Sequence, residues 1–225
     1  MGEYYKWVNV DRKEYICPGD FDFGNKLLES SGFHNSFLCS LRELLDNEWK
    51  EERFLFLGDE KEIPSDSDNE VLKVLYRDSL ECGHEGSSED TIFEAYKNIS
   101  GWFCAAETIV RSNISTYIKE LNSGEDAVNE YRIDAENPYA GLFTRCGIDF
   151  TYTINRTKKV YYSSLDTKVI IPQLSHLKKA SNCDPLPFFM RHGYWGLGEW
   201  VGDEIAVSDS VPEGYTFLKK ITIDY

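Results

Sequence analysis

The chain has 225 residues, with 39 Asp or Glu against 24 Lys or Arg, which gives a formal net charge of −15 at pH 7. Hydrophobic residues make up 41% and aromatic residues 14%, enough to bury a core in one domain or a closely packed pair, so general disorder is excluded. The acidity argues against nucleic-acid binding, and the sequence contains no run of about 18 apolar residues that could span a membrane. The charged N-terminus lacks the apolar segment of a secretory signal, which predicts a cytoplasmic protein.

The first half of the chain alternates strand and helix signals. Runs of aromatic and β-branched residues predict strands, and apolar residues that recur every three or four positions predict helices. The elements predicted here are a hairpin with strands 4–10 and 14–17, a helix over 36–49, a strand over 53–57, and helices over 69–80 and 89–121.

The second half is richer in strand signals. The predicted elements are a second hairpin with strands 148–154 and 159–163, and further strands over 167–171, 204–207 and 215–223. We therefore predict an α+β fold, with a mixed or antiparallel sheet built from the N- and C-terminal strands and hairpins around a helical middle segment. The chain is interpreted as one domain over 1–225, a pattern that is also compatible with a helical insertion at 66–123.

Two short similarities suggest a weak pseudo-repeat of residues 4–60 and 148–204. Asp11-Arg12 and Asn155-Arg156 occupy the two hairpin turns, and Gly58-Asp59-Glu60 resembles Gly202-Asp203-Glu204 at the same separation. Between these anchors the match is poor. Two related sheet units and a coincidence of common tripeptides both remain open.

Charge is distributed unevenly along the chain. Residues 43–94 hold 17 Asp or Glu and 5 Lys or Arg, whereas residues 151–182 hold 6 Lys or Arg and the single acid Asp166. The acidic stretch could be no more than the solvated faces of helices and loops. It could also form a surface that attracts a basic partner and speeds its association.

Several motifs resemble an uncharacterised family of bacterial proteins. They are YxWVNVDxKEYICP from Tyr5, FLFLGDE from Phe54, YTINxTKxVYY from Tyr152 and GEWVGD from Gly198. This resemblance covers most of the chain and implies a bacterial origin, but it supplies no activity and no catalytic residue. A more general resemblance, in size and acidity, is to the immunity proteins of bacterial toxin systems.

No catalytic constellation stands out in the sequence, so we predict neither a catalytic residue nor a cofactor. A Gly-x-Ser-x-Gly elbow and a Walker A loop are both absent, and the six cysteines are too widely spaced for a local metal knuckle, which favours free thiols. A disulfide or a metal site assembled in three dimensions stays open. Asp59, Glu60, Asp203 and Glu204 could form a Mg²⁺ site only if the two halves packed symmetrically.

The most unusual segment is Gly193–Gly202, in which four glycines alternate with aromatic residues. Without a preceding strand and a following helix it does not predict a dinucleotide site. The spacing predicts a tight loop that displays Tyr194, Trp195 and Trp200 as binding anchors, or that uses them to close a sheet end. Arg191 and His192, just before it, are the polar groups expected to reach a ligand.

These observations favour a non-catalytic, cytoplasmic binding protein that uses an acidic surface to bind a basic protein, as an immunity-type inhibitor does. The first alternative is a metal-dependent hydrolase of unknown substrate that uses the four carboxylates. The second is a nucleic-acid mimic, with carboxylates at phosphate-like spacing. The oligomeric state is not predicted.

Overall fold

The computed structural model of the chain describes residues 2–21, 24–32, 36–83, 92–101, 103, 150–174 and 183–224. Within them the strands are β1 (Tyr5–Asn9), β2 (Glu14–Ile16), β3 (Phe54–Gly58), β4 (Lys97–Asn98), β5 (Tyr152–Asn155), β6 (Val160–Ser163), β7 (Lys168–Ile170), β8 (Arg191–Gly193), β9 (Gly196–Leu197), β10 (Ile205–Ser208), β11 (Thr216–Phe217) and β12 (Lys220–Thr222). The α-helices are α1 (Leu27–Ser30), α2 (Ser36–Asp46), α3 (Glu70–Glu81), α4 (Phe93–Ala95) and α5 (Leu186–Phe189). The predicted α+β class is confirmed.

The largest sheet has six strands in the order β4-β2-β1-β3-β8-β9. Strand β1 pairs antiparallel with β2 and β3, and the distant strand β8 joins parallel to β3. A second sheet has the order β10-β5-β6-β11, and β7 and β12 form a parallel pair. The β3–β8 pair matters most for function, because it brings a late segment of the chain beside the end of an early strand.

Strand β3 is buried along its whole length. Because successive side chains of a strand point to opposite faces, Phe54 and Phe56 enter one hydrophobic cluster with helix α2, whereas Leu55 and Leu57 enter another with helix α3. This is why the sequence shows a continuous apolar run here rather than an alternating one. A sheet covered on both faces meets solvent at its edges and strand ends.

Helix α3 begins one residue later than predicted because Asn69 is its N-cap. The Asn69 side-chain oxygen accepts hydrogen bonds from the backbone N–H groups of Val71 (3.0 Å) and Leu72 (3.4 Å), which satisfies donors that have no partner within the helix. Its amide nitrogen donates to the Val201 carbonyl oxygen at 2.7 Å. The cap therefore also fixes the start of this helix to the second half of the chain.

The prediction of one helix over 89–121 is only partly confirmed in its described part, because strand β4 separates α4 from residues 100, 101 and 103, which are helical again. The apolar spacing of Ile92, Phe93, Tyr96 and Ile99 looked helical, and all four are buried. Strand β4 lies between the last two with its own side chains exposed, and it pairs parallel with β2. Tertiary pairing overrode the local pattern here. Residues 104–121 lie outside the described residues.

The predicted C-terminal strand over 215–223 is two strands. Strand β11 pairs with β6, and strand β12 pairs with β7 in a different sheet. The two predicted hairpins are confirmed as β1–β2 and β5–β6. No helix in the described part of the chain is long and apolar enough to cross a membrane.

The two hairpins share one arrangement of polar groups. Each first strand ends in an asparagine, Asn9 or Asn155, whose side-chain oxygen accepts backbone N–H groups of the turn. The amide nitrogen of each asparagine donates to an acid that precedes the third strand, Glu52 at 2.7 Å or Asp203 at 2.8 Å. Both asparagines are fully buried, so each one ties a turn to the strand beside it.

The resemblance extends to the basic residues of the turns. Arg12 lies 3.0 Å from the acid that precedes β3, and Lys158 lies 3.1 Å from the acid that precedes β10. The residues before the second strands, Lys13 and Lys159, have φ angles of 56° and 54°. Both units are antiparallel, and in both the first strand is the central one, in the orders β2-β1-β3 and β6-β5-β10. We call β1–β2–β3 the first meander and β5–β6–β10 the second meander. Similar turn chemistry makes them similar units.

This correspondence differs from the alignment suggested by the sequence. Asn9 matches Asn155 and Glu52 matches Asp203, so the acid pair that follows β3 does not match the acid pair that precedes β10. The Gly-Asp-Glu similarity is thus not a structural equivalence. Whether the repeat covers all of 4–60 and 148–204 stays a prediction, as does the single domain.

A buried ion pair links the two halves of the chain. Arg42 of α2 lies 2.6 Å from Asp184, and neither side chain is more than 4% exposed. Tyr162 of β6 donates a hydrogen bond to the same carboxylate, and the Leu186 N–H donates another at 2.9 Å. Burial, together with the negative charge of Asp184, raises the pKa of the Tyr162 hydroxyl well above its usual value.

The four described cysteines carry thiols rather than disulfides, and they are Cys17, Cys39, Cys82 and Cys183. Burial raises the pKa of the thiols of Cys17 and Cys183, which leaves little reactive thiolate at neutral pH. The two remaining cysteines lie outside the described residues.

Candidate functional site

The parallel pairing of β3 and β8 brings two of the predicted groups together. Phe56 is paired with Arg191 and Leu57 with His192. Asp59 and Glu60 follow the end of β3. Strand β8 is followed by the two loop residues Tyr194 and Trp195 and then by β9, with which it forms a hairpin. We call residues 194–197 the hairpin tip. The chain places this tip and the acid pair at the same end of the sheet.

A residue that the sequence analysis missed, Glu3, lies between these two groups. It is 6% exposed, and both of its carboxylate oxygens lie 2.8 Å from the backbone nitrogen of Tyr194, which donates to them. Tyr5 donates its hydroxyl to the same carboxylate. Glu3 precedes β1 without any motif around it, so only the three-dimensional pairing of β1, β3 and β8 reveals its role.

Two glycines leave the space that the Glu3 side chain fills. A Cβ atom on Gly193 would lie 2.6 Å from both Glu3 carboxylate oxygens, and one on Gly58 would lie 2.9 Å from its Cγ and closer still to the carboxyl group. Any larger residue at either position would displace the carboxylate. Burial raises the pKa of Glu3 despite the hydrogen bonds from Tyr5 and Tyr194, and the charges of Asp59 and Glu60 raise it further.

Arg191 serves the hairpin tip from within. Its guanidinium donates to the Trp195 carbonyl oxygen at 3.3 and 3.2 Å and to the Phe188 carbonyl oxygen at 2.8 Å. Burial lowers the pKa of this guanidinium below its ordinary value. The prediction that Arg191 reaches a ligand is therefore replaced by a positioning role, because its donors are directed to backbone carbonyl groups.

His192 is buried and does not face solvent. It is 4% exposed, and its Nε2 lies 3.3 Å from the Glu62 carbonyl oxygen. Burial lowers the pKa of the imidazole, and the nearby charge of Lys61 lowers it further. Among the described residues, its Nδ1 atom has no hydrogen-bond partner. The prediction that this histidine contacts a ligand is wrong on accessibility.

The three predicted aromatic anchors divide into two groups. Trp200 is 1% exposed and stacks on Phe189 with ring centroids 4.3 Å apart, so it belongs to the core and not to a binding surface. Tyr194 is 68% exposed and Trp195 is 45% exposed. Sequence alone could not separate them, because all three stand in the same glycine-rich segment.

The second acid pair belongs to a different place. Asp203 is held by Asn155 and Lys158 in the second meander, and Glu204 accepts a 2.7 Å contact from Arg156. Arg156 also contacts Glu51, which lies before the start of β3. Asp59 follows the other end of β3. Because a strand rises by roughly 3.3 Å per residue, the five residues of β3 alone separate Asp59 from Glu51 by about 15 Å.

The four carboxylates proposed for a Mg²⁺ site are therefore not brought together. In the described ranges, no group of three or more His, Cys, Asp or Glu side chains could hold a metal ion. The symmetric packing that this hypothesis required is contradicted by the match of Asp203 with Glu52 rather than with Asp59.

The connection from β3 to α3 carries a dense group of carboxylates. We call residues 59–68 the acidic loop, which contains five acids and one lysine. Its ends are fixed, since Asp59 accepts the Tyr4 N–H at 2.9 Å and Ser67 accepts the Asn69 N–H at 3.1 Å. Buried Ile63 anchors its middle, and an open cavity of about 530 Å³ lies between the loop and Tyr76.

Ion pairing distinguishes this loop from five other acids of the acidic stretch. Glu51, Glu52, Glu70, Asp78 and Glu81 form ion pairs with basic residues of the same chain. Apart from Asp59, the loop has four acids, Glu60, Glu62, Asp66 and Asp68, and all four are exposed. Within the described residues, none of these four side chains forms an ion pair.

Comparison with known proteins gave no relative: no protein-family model, no curated protein and no solved structure matches this chain.

Proposed function

We propose that this chain is a non-catalytic, cytoplasmic protein that binds and neutralises a basic protein, in the manner of an immunity-type inhibitor. The observation that carries the proposal is the acidic loop, whose exposed carboxylates have no basic partner among the described residues. Carboxylates already paired within the chain would have to exchange one partner for another, whereas those of Glu60, Glu62, Asp66 and Asp68 would not.

The anchoring of the loop also supports binding. A hydrogen bond at each end and the buried Ile63 restrain its backbone, so less conformational entropy is lost when a partner binds. Opposite charge across an interface raises the association rate and selects against acidic partners. A basic protein is the class of partner that gains most from this surface.

The test uses a charge-neutral variant of the acidic loop, in which Glu62→Gln, Asp66→Asn and Asp68→Asn are combined. A matched control replaces three exposed acids elsewhere, by Asp166→Asn, Glu213→Gln and Asp224→Asn. Each protein is used to capture partners from bacterial lysate at low salt and at about 0.5 M salt, where the Debye length is below ~5 Å.

We expect a stoichiometric basic protein to be captured by the wild type and by the control, to be released by salt, and to be lost with the loop variant. Capture of no basic protein by the wild type at low salt, or equal capture by the loop variant, would overturn the proposal. Production of the captured protein should then arrest bacterial growth, and co-production of this chain should restore it.

The nature of the captured protein also separates the remaining alternative. A DNA- or RNA-binding protein that nucleic acid displaces from this chain would indicate a nucleic-acid mimic. A basic toxin that nucleic acid does not displace would indicate an immunity-type inhibitor.

A further inference from the structure

The hairpin tip concentrates exposed apolar side chains at one place. Among the described residues, six large hydrophobic side chains are well exposed, and Tyr194, Trp195 and Leu197 are three of them, at 68%, 45% and 46% exposure. The remaining three are Tyr4, Leu80 and Leu165. Single exposed apolar residues need no explanation, but a contiguous group, which also includes two aromatic rings, is typical of a binding surface.

The tip is held in position by the chain itself. The Glu3 carboxylate accepts the Tyr194 N–H, and the Arg191 guanidinium donates to the Trp195 carbonyl oxygen. The rings of Tyr194 and Trp195 meet edge to face, with centroids 5.3 Å apart and planes at 85°. Because these contacts already fix both loop residues, their rings lose little freedom when a partner binds.

Carboxylates lie near the base of this aromatic tip. The Glu3 carboxylate fills the gap between Gly58 and Gly193, so the acid pair that follows Gly58 lies on one side of Glu3 and the tip lies on the other. Asp59 and Glu60 both act electrostatically on Glu3. Exposed aromatic faces beside carboxylates attract cations, since the ring quadrupole and the carboxylate charge favour the same ligand.

We propose that the hairpin tip is the surface on which the basic partner's arginine or lysine side chains dock, with Tyr194 and Trp195 providing the aromatic faces and Asp59 and Glu60 the opposite charge. This inference rests on the proposed function and names the part of the partner that is recognised. Arginine fits best, because its planar guanidinium stacks on a ring and pairs with a carboxylate at the same time.

The ligand is an extended segment of a protein rather than a small molecule. The two-residue loop between β8 and β9 exposes its rings, at 68% and 45% exposure, whereas small-molecule sites are concave. A flexible chain that carries several cationic side chains can wrap around such a projection and reach the acidic loop as well.

The probe is a synthetic peptide of alternating arginine and glycine, compared with the same peptide carrying citrulline in place of arginine. Citrulline keeps the shape of the side chain and removes its charge. Binding to the full chain is measured by calorimetry at low salt for wild type, Tyr194→Ala, Trp195→Ala and the conservative Trp195→Phe. Leu165→Ala, which removes an exposed apolar side chain from a different turn, is the control.

We expect the arginine peptide to bind and the citrulline peptide not to bind. Each alanine variant of the tip should weaken binding about tenfold, Trp195→Phe should restore part of the loss, and Leu165→Ala should have no effect. Wild-type binding that falls with the charge-neutral loop variant but is unchanged by Tyr194→Ala and Trp195→Ala would overturn this inference and leave the proposed function standing. No binding of the arginine peptide to the wild type would also overturn it, while lysate capture would still decide the proposed function separately.

Discussion

The two meanders have the same internal framework and opposite surroundings. In both, a buried asparagine, an acid before the third strand and a base in the turn close the unit. The first meander lies inside a six-stranded sheet whose two faces are covered, and it leads into the acidic loop and supports the hairpin tip. The second meander forms most of a four-stranded sheet in which β10 is the end strand.

A second difference is the ion pair beside the turn. In the first meander Asp11 accepts the Arg53 N–H and also pairs with the Arg53 guanidinium. In the second meander the matched residue, Thr157, accepts the Glu204 N–H through its hydroxyl, and the ion pair comes instead from Arg156, one residue earlier in the turn. The backbone contact is kept while the charged partner comes from a different position. The geometry of a meander therefore depends on where polar groups meet, and its binding properties depend on what is attached to it.

The largest effect should come from breaking the ion pair that joins the two halves. Arg42→Met would leave the fully buried Asp184 carboxylate without its cation, so we expect a loss of about 3–5 kcal/mol in the free energy of unfolding. Urea unfolding followed by tryptophan fluorescence measures this loss.

The control for that prediction is a double-mutant cycle with Asp184→Asn, in which no uncompensated charge remains. The double variant should lose clearly less than the sum of the two single variants. A loss below about 1 kcal/mol for Arg42→Met would show that the charge is satisfied in another way.

The next effect tests whether the two meanders are equivalent. Asn9→Ala and Asn155→Ala each remove a buried side chain that accepts turn N–H groups and donates to an acid. We expect each variant to lose about 2 kcal/mol of unfolding free energy, because buried backbone donors are left without partners. If one asparagine proves nearly neutral, its meander is held by other contacts, and the equivalence fails.

A smaller effect concerns two matched positions with positive φ. Glu51 has φ = 63° and precedes the acid of the first meander, while Gly202 has φ = 94° and precedes the acid of the second. Gly202→Ala should destabilise the protein by about 1–2 kcal/mol, since a Cβ atom disfavours this conformation.

Glu51→Gly is the reverse exchange at the matched position. It relieves the same strain, but it removes the Glu51–Arg156 contact, and glycine loses more backbone entropy on folding than glutamate does. These effects oppose each other, so we expect a change in unfolding free energy within about 0.5 kcal/mol. Equal losses for both variants would contradict the idea that the left-handed conformation, rather than the side chain, is what the two units share.

Local patterns predicted the local parts of this molecule. Both hairpins, the apolar strand β3 and the helices around 36–46 and 70–81 were visible in periodicity and turn residues. The residues at 96–99 were misread as helical, because the pairing of Lys97 and Asn98 with β2 decided their conformation. Exposure of Tyr194 and Trp195 was one of the two alternatives that the sequence left open. Burial of Trp200 and His192 and the role of Glu3 depend on β8 joining β3, a pairing of strands more than 130 residues apart in the chain.

The smallest effect at neutral pH should come from His192. It lies in β8, which pairs with β3 of the first meander, whereas β10 of the second meander is an end strand without such a neighbour. Burial lowers the folded-state pKa of this imidazole below its ordinary value of 6.5, so the unfolded chain binds a proton first as the pH falls. Stability is therefore complete above about pH 6.5 and declines below it, until the pH reaches the folded-state pKa. Urea unfolding of the wild type and of His192→Phe between about pH 5.5 and about pH 7.5, one unit on each side of that value, measures the slope. The slope should be flatter in the variant, because a phenyl ring fills the same buried site and binds no proton. Equal slopes would mean that His192 keeps its ordinary pKa in the folded protein and that β8 packs less tightly against the first meander than the structure indicates.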